Sequence, residues 1–193
     1  MTPPELIAIG TSLGGLNALS QLLASLPQTF NVPIVIVQHR STMSQATGLA
    51  ELLQQQTTLR VIEAEDKMAI ERGTVYLAPA DYHLLVEDRG VLALTTEGPV
   101  RAARPSIDVL FESAADAYRH TLVAVLLTGA STDGADGLAA VKAHGGRALV
   151  EDPATAECRT MPAAGIAAAA VDYVLPLPQM AEHLMTLVEG TRA

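Results

Sequence analysis

With 193 residues, of which 49% are hydrophobic and 17% charged, and a mean hydropathy of +0.29, the chain can bury a core of ordinary size, and its composition excludes a disordered polypeptide. Twelve basic residues against 21 acidic ones leave a formal charge of −9, and no basic cluster breaks that balance, so the electrostatic footprint of a nucleic-acid binder is missing. A single cysteine, Cys158, rules out an internal disulfide and a cysteine-rich metal cage, and Met1–Glu5 lacks the basic start of a signal peptide. The expectation is one soluble, cytoplasmic domain over 1–193, with no cofactor, no metal and no membrane insertion.

In chain order, an apolar strand (Ile7-Ala8-Ile9) runs into Gly10-Thr11-Ser12-Leu13-Gly14-Gly15 and then into a helix with Leu16, Leu19, Leu22, Leu23 and Leu26 on one face. Gly-x-Ser-x-Gly between a strand and a helix is the pattern of a nucleophile elbow, which presents a serine hydroxyl at the carboxyl end of the strand. The same glycines and the same helix amino terminus also suit a loop that cradles a phosphate, and the pentapeptide alone does not separate the two. Val32–Val37 is a continuous β-branched run of the kind found in buried parallel strands, and it places His39 at a second strand end. That edge is where open parallel sheets bind ligands, although a loop histidine satisfied by backbone is an equally ready reading. A polar segment at Ser41–Ser44 leads to a helix with Ala46, Leu49, Ala50, Leu52 and Leu53 as its buried stripe.

Leu59–Glu63 and Thr74–Ala78 read as short strands, and Tyr82–Glu87 with Val91–Thr95 across Asp88-Arg89-Gly90 as a hairpin at one edge of the sheet. His83 falls in the hairpin among apolar neighbours and reads as structural. The acidic run Glu63–Asp66 reads as a solvated loop, since no histidine accompanies it. Ser106 is placed to cap a helix carrying Ile107, Leu110, Phe111, Ala114, Ala115 and Tyr118 at helical spacing. Thr121–Leu127 is the most hydrophobic strand, and the loop after it carries Asp133 and Asp136, either of which could cap the helix Leu138–Ala143. Gly145–Glu151, an Ala-rich helix after Met161-Pro162, Asp172–Leu175 and Met180–Val188 complete the alternation, with His120, His144 and His183 as surface residues. The fold class is therefore α/β: a doubly wound, mostly parallel sheet flanked by helices, with an antiparallel hairpin at one edge.

Ser12, His39 and Asp133 each follow a different apolar strand. A serine hydroxyl is too weak an acid to attack a carbonyl near neutral pH unless an imidazole takes its proton, and the imidazole needs a carboxylate to fix its tautomer and stabilise its cation. The chain order Ser, His, Asp differs from the Ser, Asp, His of α/β-hydrolases, which points to convergence on another fold. Two rival readings remain: a non-catalytic phosphate- or nucleotide-binding module built on the Gly10–Gly15 loop, and an esterase for a small-molecule ester.

The chain also resembles a known family, the catalytic domain of CheB-type chemotaxis protein-glutamate methylesterases. The resemblance lies in Ile9-Gly10-Thr11-Ser12-Leu13-Gly14-Gly15, Val35-Ile36-Val37-Gln38-His39, Val75–Pro79, Arg104–Phe111, Leu127-Thr128-Gly129 with Asp133-Gly134-Ala135, and Met161-Pro162. It implies Ser12 as nucleophile, His39 as base, Asp133 as its orienter, and the backbone amides of Leu13 and Ala130 as an oxyanion hole. The implied reaction is hydrolysis of glutamate methyl esters on the cytoplasmic helices of chemoreceptors, with glutamine deamidation through the same acyl-enzyme. The chain departs from the family pattern at Leu13, at Ala130-Ser131 and at Thr160. With the elbow this close to Met1, the expectation is a catalytic domain without a receiver domain, any regulator being a separate protein.

Overall fold

The structure, a computed structural model, describes residues 2–39 and 48–190. Its elements run β1 (Leu6–Thr11), α1 (Gly15–Ala24), β2 (Ile34–Gln38), α2 (Leu49–Gln54), β3 (Arg60–Glu63), β4 (Thr74–Leu77), β5 (His83–Asp88), β6 (Val91–Thr95), α3 (Ile107–Tyr118), β7 (Leu122–Leu126), α4 (Ala135–Ala143), β8 (Arg147–Glu151), α5 (Thr160–Ala168), β9 (Tyr173–Leu175) and α6 (Leu177–Glu189). Seven strands form a sheet in the order β3-β4-β2-β1-β7-β8-β9, with every pairing parallel.

Strand alternation sorts the core into two halves, because successive side chains point to opposite faces. Ile7, Ile9, Ile34, Ile36, Val123 and Val125 pack under α1, α2 and α6. Leu6, Ala8, Val35, Val37, Ala124 and Leu126 pack under α3, α4, α5 and the β5–β6 hairpin. With both faces covered, the central strands can be apolar throughout, and β1 and β7 are buried at every position.

The hairpin is present but does not extend the sheet's edge. β5 and β6 pair only with each other as a named sheet, and the Val86 amide donates to Ser113 Oγ on α3 (3.1 Å), so the hairpin lies across a helix. Leu52, expected in the stripe of α2, is 48% exposed, because that helix is only six residues long; Leu49 and Leu53 are buried and Ala50 packs partly against the core. Leu16, expected on the buried face of α1, is 43% exposed, since it lies in the first turn, at the rim of the cavity described below. The expectations at Ser41–Ser44 and Ala46 lie outside the described residues.

The strand order reverses direction at β1: the chain first builds outward through β2 and β4, then returns to add β7, β8 and β9 on the other side. Such a reversal opens a crevice at the carboxyl ends of the strands. α3 closes on this region through Gly10, where a Cβ would lie 2.2 Å from Ile107 Cγ2. Gly10→Ala is therefore expected to lower stability by about 1–3 kcal/mol, as overpacked cores do, measured by chemical denaturation. A variant as stable as the parent would show that α3 is free to move away.

Candidate active site

Ser12 follows directly on β1. Its amide donates to Thr128 O (3.0 Å) and its carbonyl accepts from the Gly15 amide (2.9 Å), which bends the chain from strand into α1 within three residues. The turn is closed by Gly14 with φ of 82°, the left-handed region that glycine enters without strain. Gly129, after β7, is equally constrained, since a Cβ there would lie 2.9 Å from Ser12 Cβ. The Leu13 amide has no acceptor among the described residues, and Thr128 Oγ1 donates to the Leu13 carbonyl (3.0 Å), which fixes the peptide plane on that side.

His39 follows β2, with its amide donating to Thr11 O (3.0 Å). Its Nε2 lies 2.7 Å from Asp133 Oδ2, leaving Nδ1 as the nitrogen available for proton transfer. Ser12, Leu13, Gly14, Gln38, His39 and Glu157 line one cavity of about 690 Å³ at the strand ends. Ala130 is exposed on the loop after Gly129, one residue beyond the closest approach to Ser12, and does not line that cavity.

Asp133 is fully buried, and its anchoring differs from the expected capping of its own helix. It sits at the amino terminus of α3, accepting from the Ile107 amide (2.7 Å), the Asp108 amide (3.0 Å) and Ser106 Oγ (2.8 Å). Asp108 in turn accepts from the Gly134 and Gly137 amides (2.9 and 2.7 Å) at the start of α4. Asp133 thus caps α3, which carries Asp108, and Asp108 caps α4, the helix that follows Asp133. Burial alone would raise the Asp133 carboxyl, but the bond to His39, the two amides and the Ser106 hydroxyl outweigh it and hold the group below the usual carboxylate range. Burial pushes Asp108 up to about 6, with the Gly137 amide opposing the rise and the Asp133 charge adding to it. Asp136 is on the rim, paired with the Arg101 guanidinium, which also donates from Nε to Asp108 Oδ2 (3.0 Å).

His83 is structural as expected: it accepts at Nδ1 from the Ser106 amide (3.1 Å) and lies 3.1 Å from Gly98 O at Nε2, holding the loop that leads into α3. Ser106 caps α3, accepting from the Val109 amide. Cys158 is half-buried, and its carbonyl and amide brace Gly129 and Thr128. Among the described residues no group of three metal-binding side chains converges, and no helix is long and apolar enough to cross a membrane. Sequence reasoning missed Gln38, the buried Glu151 that accepts from the Thr128 amide (2.8 Å), and the use of α3 as the seat of Asp133. The sequence signals for Gln38 were its place immediately before His39 and its position in the motif Val35-Ile36-Val37-Gln38-His39 that carries the resemblance.

A doubly wound parallel sheet with a glycine-turn serine and a histidine–aspartate pair in its switch-point crevice places the chain among α/β enzymes. The family model for CheB methylesterase matches residues 7–184. A Leptospira interrogans protein whose name assigns it to the protein-glutamate methylesterases/protein-glutamine glutaminases is 45% identical over 183 residues, 95% of this chain and 94% of that one. The protein-glutamate methylesterase FrzG of Myxococcus xanthus is 40% identical over 187 residues, which span 97% of this chain and 56% of FrzG. The crystal structure of the Thermotoga maritima CheB methylesterase catalytic domain superposes with a TM-score of 0.90 at 35% identity, covering 97% of this chain and 100% of that one. The chain belongs to the CheB methylesterase family, and its class is that of the carboxylic ester hydrolases.

Proposed function

We propose that this domain hydrolyses methyl esters of glutamate side chains on chemoreceptor cytoplasmic helices by a Ser12–His39–Asp133 acyl-enzyme mechanism, and that it deamidates glutamine side chains by the same route. The observation that carries the reading is the 2.7 Å contact of His39 Nε2 with a buried Asp133, on a cavity that Ser12 also lines. A phosphate-cradling loop has no use for that pair, whereas acyl transfer requires it. His39 Nδ1 takes the Ser12 proton as Oγ attacks the ester carbonyl, and Asp133 stabilises the imidazolium. The Leu13 amide, which has no acceptor among the described residues, receives the oxyanion, with the Ala130 amide as the second donor from the loop beyond Gly129. Collapse of the tetrahedral species returns the proton to methoxide, so that methanol leaves. Water, deprotonated by the same imidazole, then frees the glutamate carboxylate. A glutamyl ester on a protein, rather than a small ester, as substrate is supported by the names of the relatives, which are protein-glutamate methylesterases.

The test is labelling with a fluorophosphonate probe and mass mapping of the adduct. The expected adduct is on Ser12, the serine that shares its cavity with the His39–Asp133 pair. A folded protein that remains unlabelled would overturn the mechanism.

A further inference from the structure

Gln38 closes β2 and stands opposite Thr11 in the β1–β2 register, one residue short of both Ser12 and His39. Its Nε2 donates twice, to Ser12 O at 2.8 Å and to His39 O at 2.9 Å. A carboxamide nitrogen carries two N–H groups, and here both are spent on the backbone carbonyls of two residues that come from different strands. The orientation is fixed by chemistry, because the flipped amide would set Oε1 against two carbonyl oxygens.

The other end of the carboxamide is unusual. Oε1 is buried and has no hydrogen-bond partner among the described residues. It is wedged against the first residue of α1, where a Cβ on Gly15 would lie 2.0 Å from Oε1 and 2.6 Å from Thr11 Oγ1. An orphaned buried acceptor is unfavourable, and the fold retains it at the one place where the same group's donors bridge the nucleophile and base residues.

We propose that Gln38 is a positioning residue for the hydrolytic step, a two-pronged clamp that fixes the backbone of Ser12 relative to that of His39, with Gly15 kept free of a side chain to admit it. The clamp acts only through those two residues and rests on their assignment as nucleophile and base. It sets the distance and angle at which Oγ meets Nδ1, so its loss lowers the rate of the chemical step and leaves substrate binding largely unchanged. Among the described residues, the titratable groups facing position 38 are His39 and Glu157 on the same cavity, with Asp133 behind His39 and the hydroxyls of Thr11 and Ser12 beside it.

The experiment compares the rate of fluorophosphonate adduct formation at Ser12 in the full chain for wild type, Gln38→Met and Gln38→Glu from pH 5.5 to 8, each divided by the wild-type rate at the same pH. Gln38→Met keeps the length and removes both donors; it is expected to react at least about tenfold more slowly, by the same ratio at every pH. Gln38→Glu is expected to be slower still at pH 8, where an ionised carboxylate faces two carbonyl oxygens. It should recover to above the Met variant at pH 5.5, where the carboxyl proton restores one of the two bonds. On a methyl ester substrate, both variants are expected to lose kcat with KM nearly unchanged. Gly15→Ala, which drives the carboxamide out of its seat while keeping its chemistry, should reproduce the loss, and adding it to Gln38→Met should cost little more. Ratios within twofold of wild type, or two variants with the same pH-independent ratio, would overturn the clamp, since a merely structural side chain has no reason to recover on protonation. A wild-type protein that forms no adduct would instead overturn the assignment of Ser12, and the clamp with it.

Discussion

Ser12→Ala is expected to abolish methanol release from glutamyl methyl esters, with a loss of at least about a thousandfold, while the protein remains folded. The bonds that shape the turn run through the backbone of Ser12, to Thr128 O, from the Gly15 amide and from Gln38 Nε2, and alanine keeps all three together with the Cβ that packs against Gly129. What it removes is the oxygen that, in the proposed mechanism, attacks the carbonyl. Neither the Leu13 amide nor the His39–Asp133 pair can substitute for that oxygen, so only slow attack by free water remains. The measurement is methanol release, with circular dichroism as the control for folding. Retained turnover in a folded Ser12→Ala protein would show that the nucleophile lies elsewhere.

Asp133→Asn has the second-largest expected effect, and it acts at two levels. On the reaction, asparagine withdraws the charge that stabilises the imidazolium and can present an N–H to His39 Nε2, which disfavours the tautomer with its lone pair on Nδ1; a loss of about a hundredfold or more in kcat follows. On the fold, asparagine has one acceptor oxygen in place of the two that now receive the Ile107 amide, the Asp108 amide and Ser106 Oγ. The stability effect has a defined pH window. Because the folded carboxyl titrates below its unfolded value of about 3.9, its contribution is complete above that pH and disappears as the pH falls through the lower, folded value. Asp133→Asn is therefore expected to be less stable than wild type at pH 7, with the gap in melting temperature narrowing towards pH 3. Asp136→Asn, on the rim and paired with Arg101, should change turnover far less. The reverse order of effects would remove Asp133 from the triad.

The doubly wound sheet and the approximate places of its strands were legible because a sheet covered on both faces needs long apolar runs, and Val32–Val37 and Thr121–Leu127 have no other reading. Ser12 was legible because a strand-to-helix turn that tight demands glycine at 14 and 15, and a sequence displays its glycines. The seat of Asp133 was not legible. Local capping rules look three residues ahead along the chain, and they assigned this aspartate to the helix that follows it; the helix it caps begins 26 positions earlier and is brought alongside by the α3–α4 contact, where a Cβ on Gly137 would lie 2.7 Å from Phe111 Cβ. The hairpin was found but misplaced for a related reason. Two-residue alternation shows that strands pair and says nothing about whether the pair joins a sheet or lies across a helix.

The exchange of caps between Asp133 and Asp108 also ties the proposed site to the docking of α3 against α4. Neither helix start is complete until the other has docked, because the acceptors for the free amides at one amino terminus are supplied by the chain at the other. A chain with its sheet formed and α3 still undocked would have a glycine turn and a serine but no oriented imidazole. If Asp133 has its proposed role, activity and the integrity of the α3–α4 face would share one structural requirement: an opening that exposes the Ile107 and Asp108 amides to solvent would also loosen the seat of the carboxylate that holds His39.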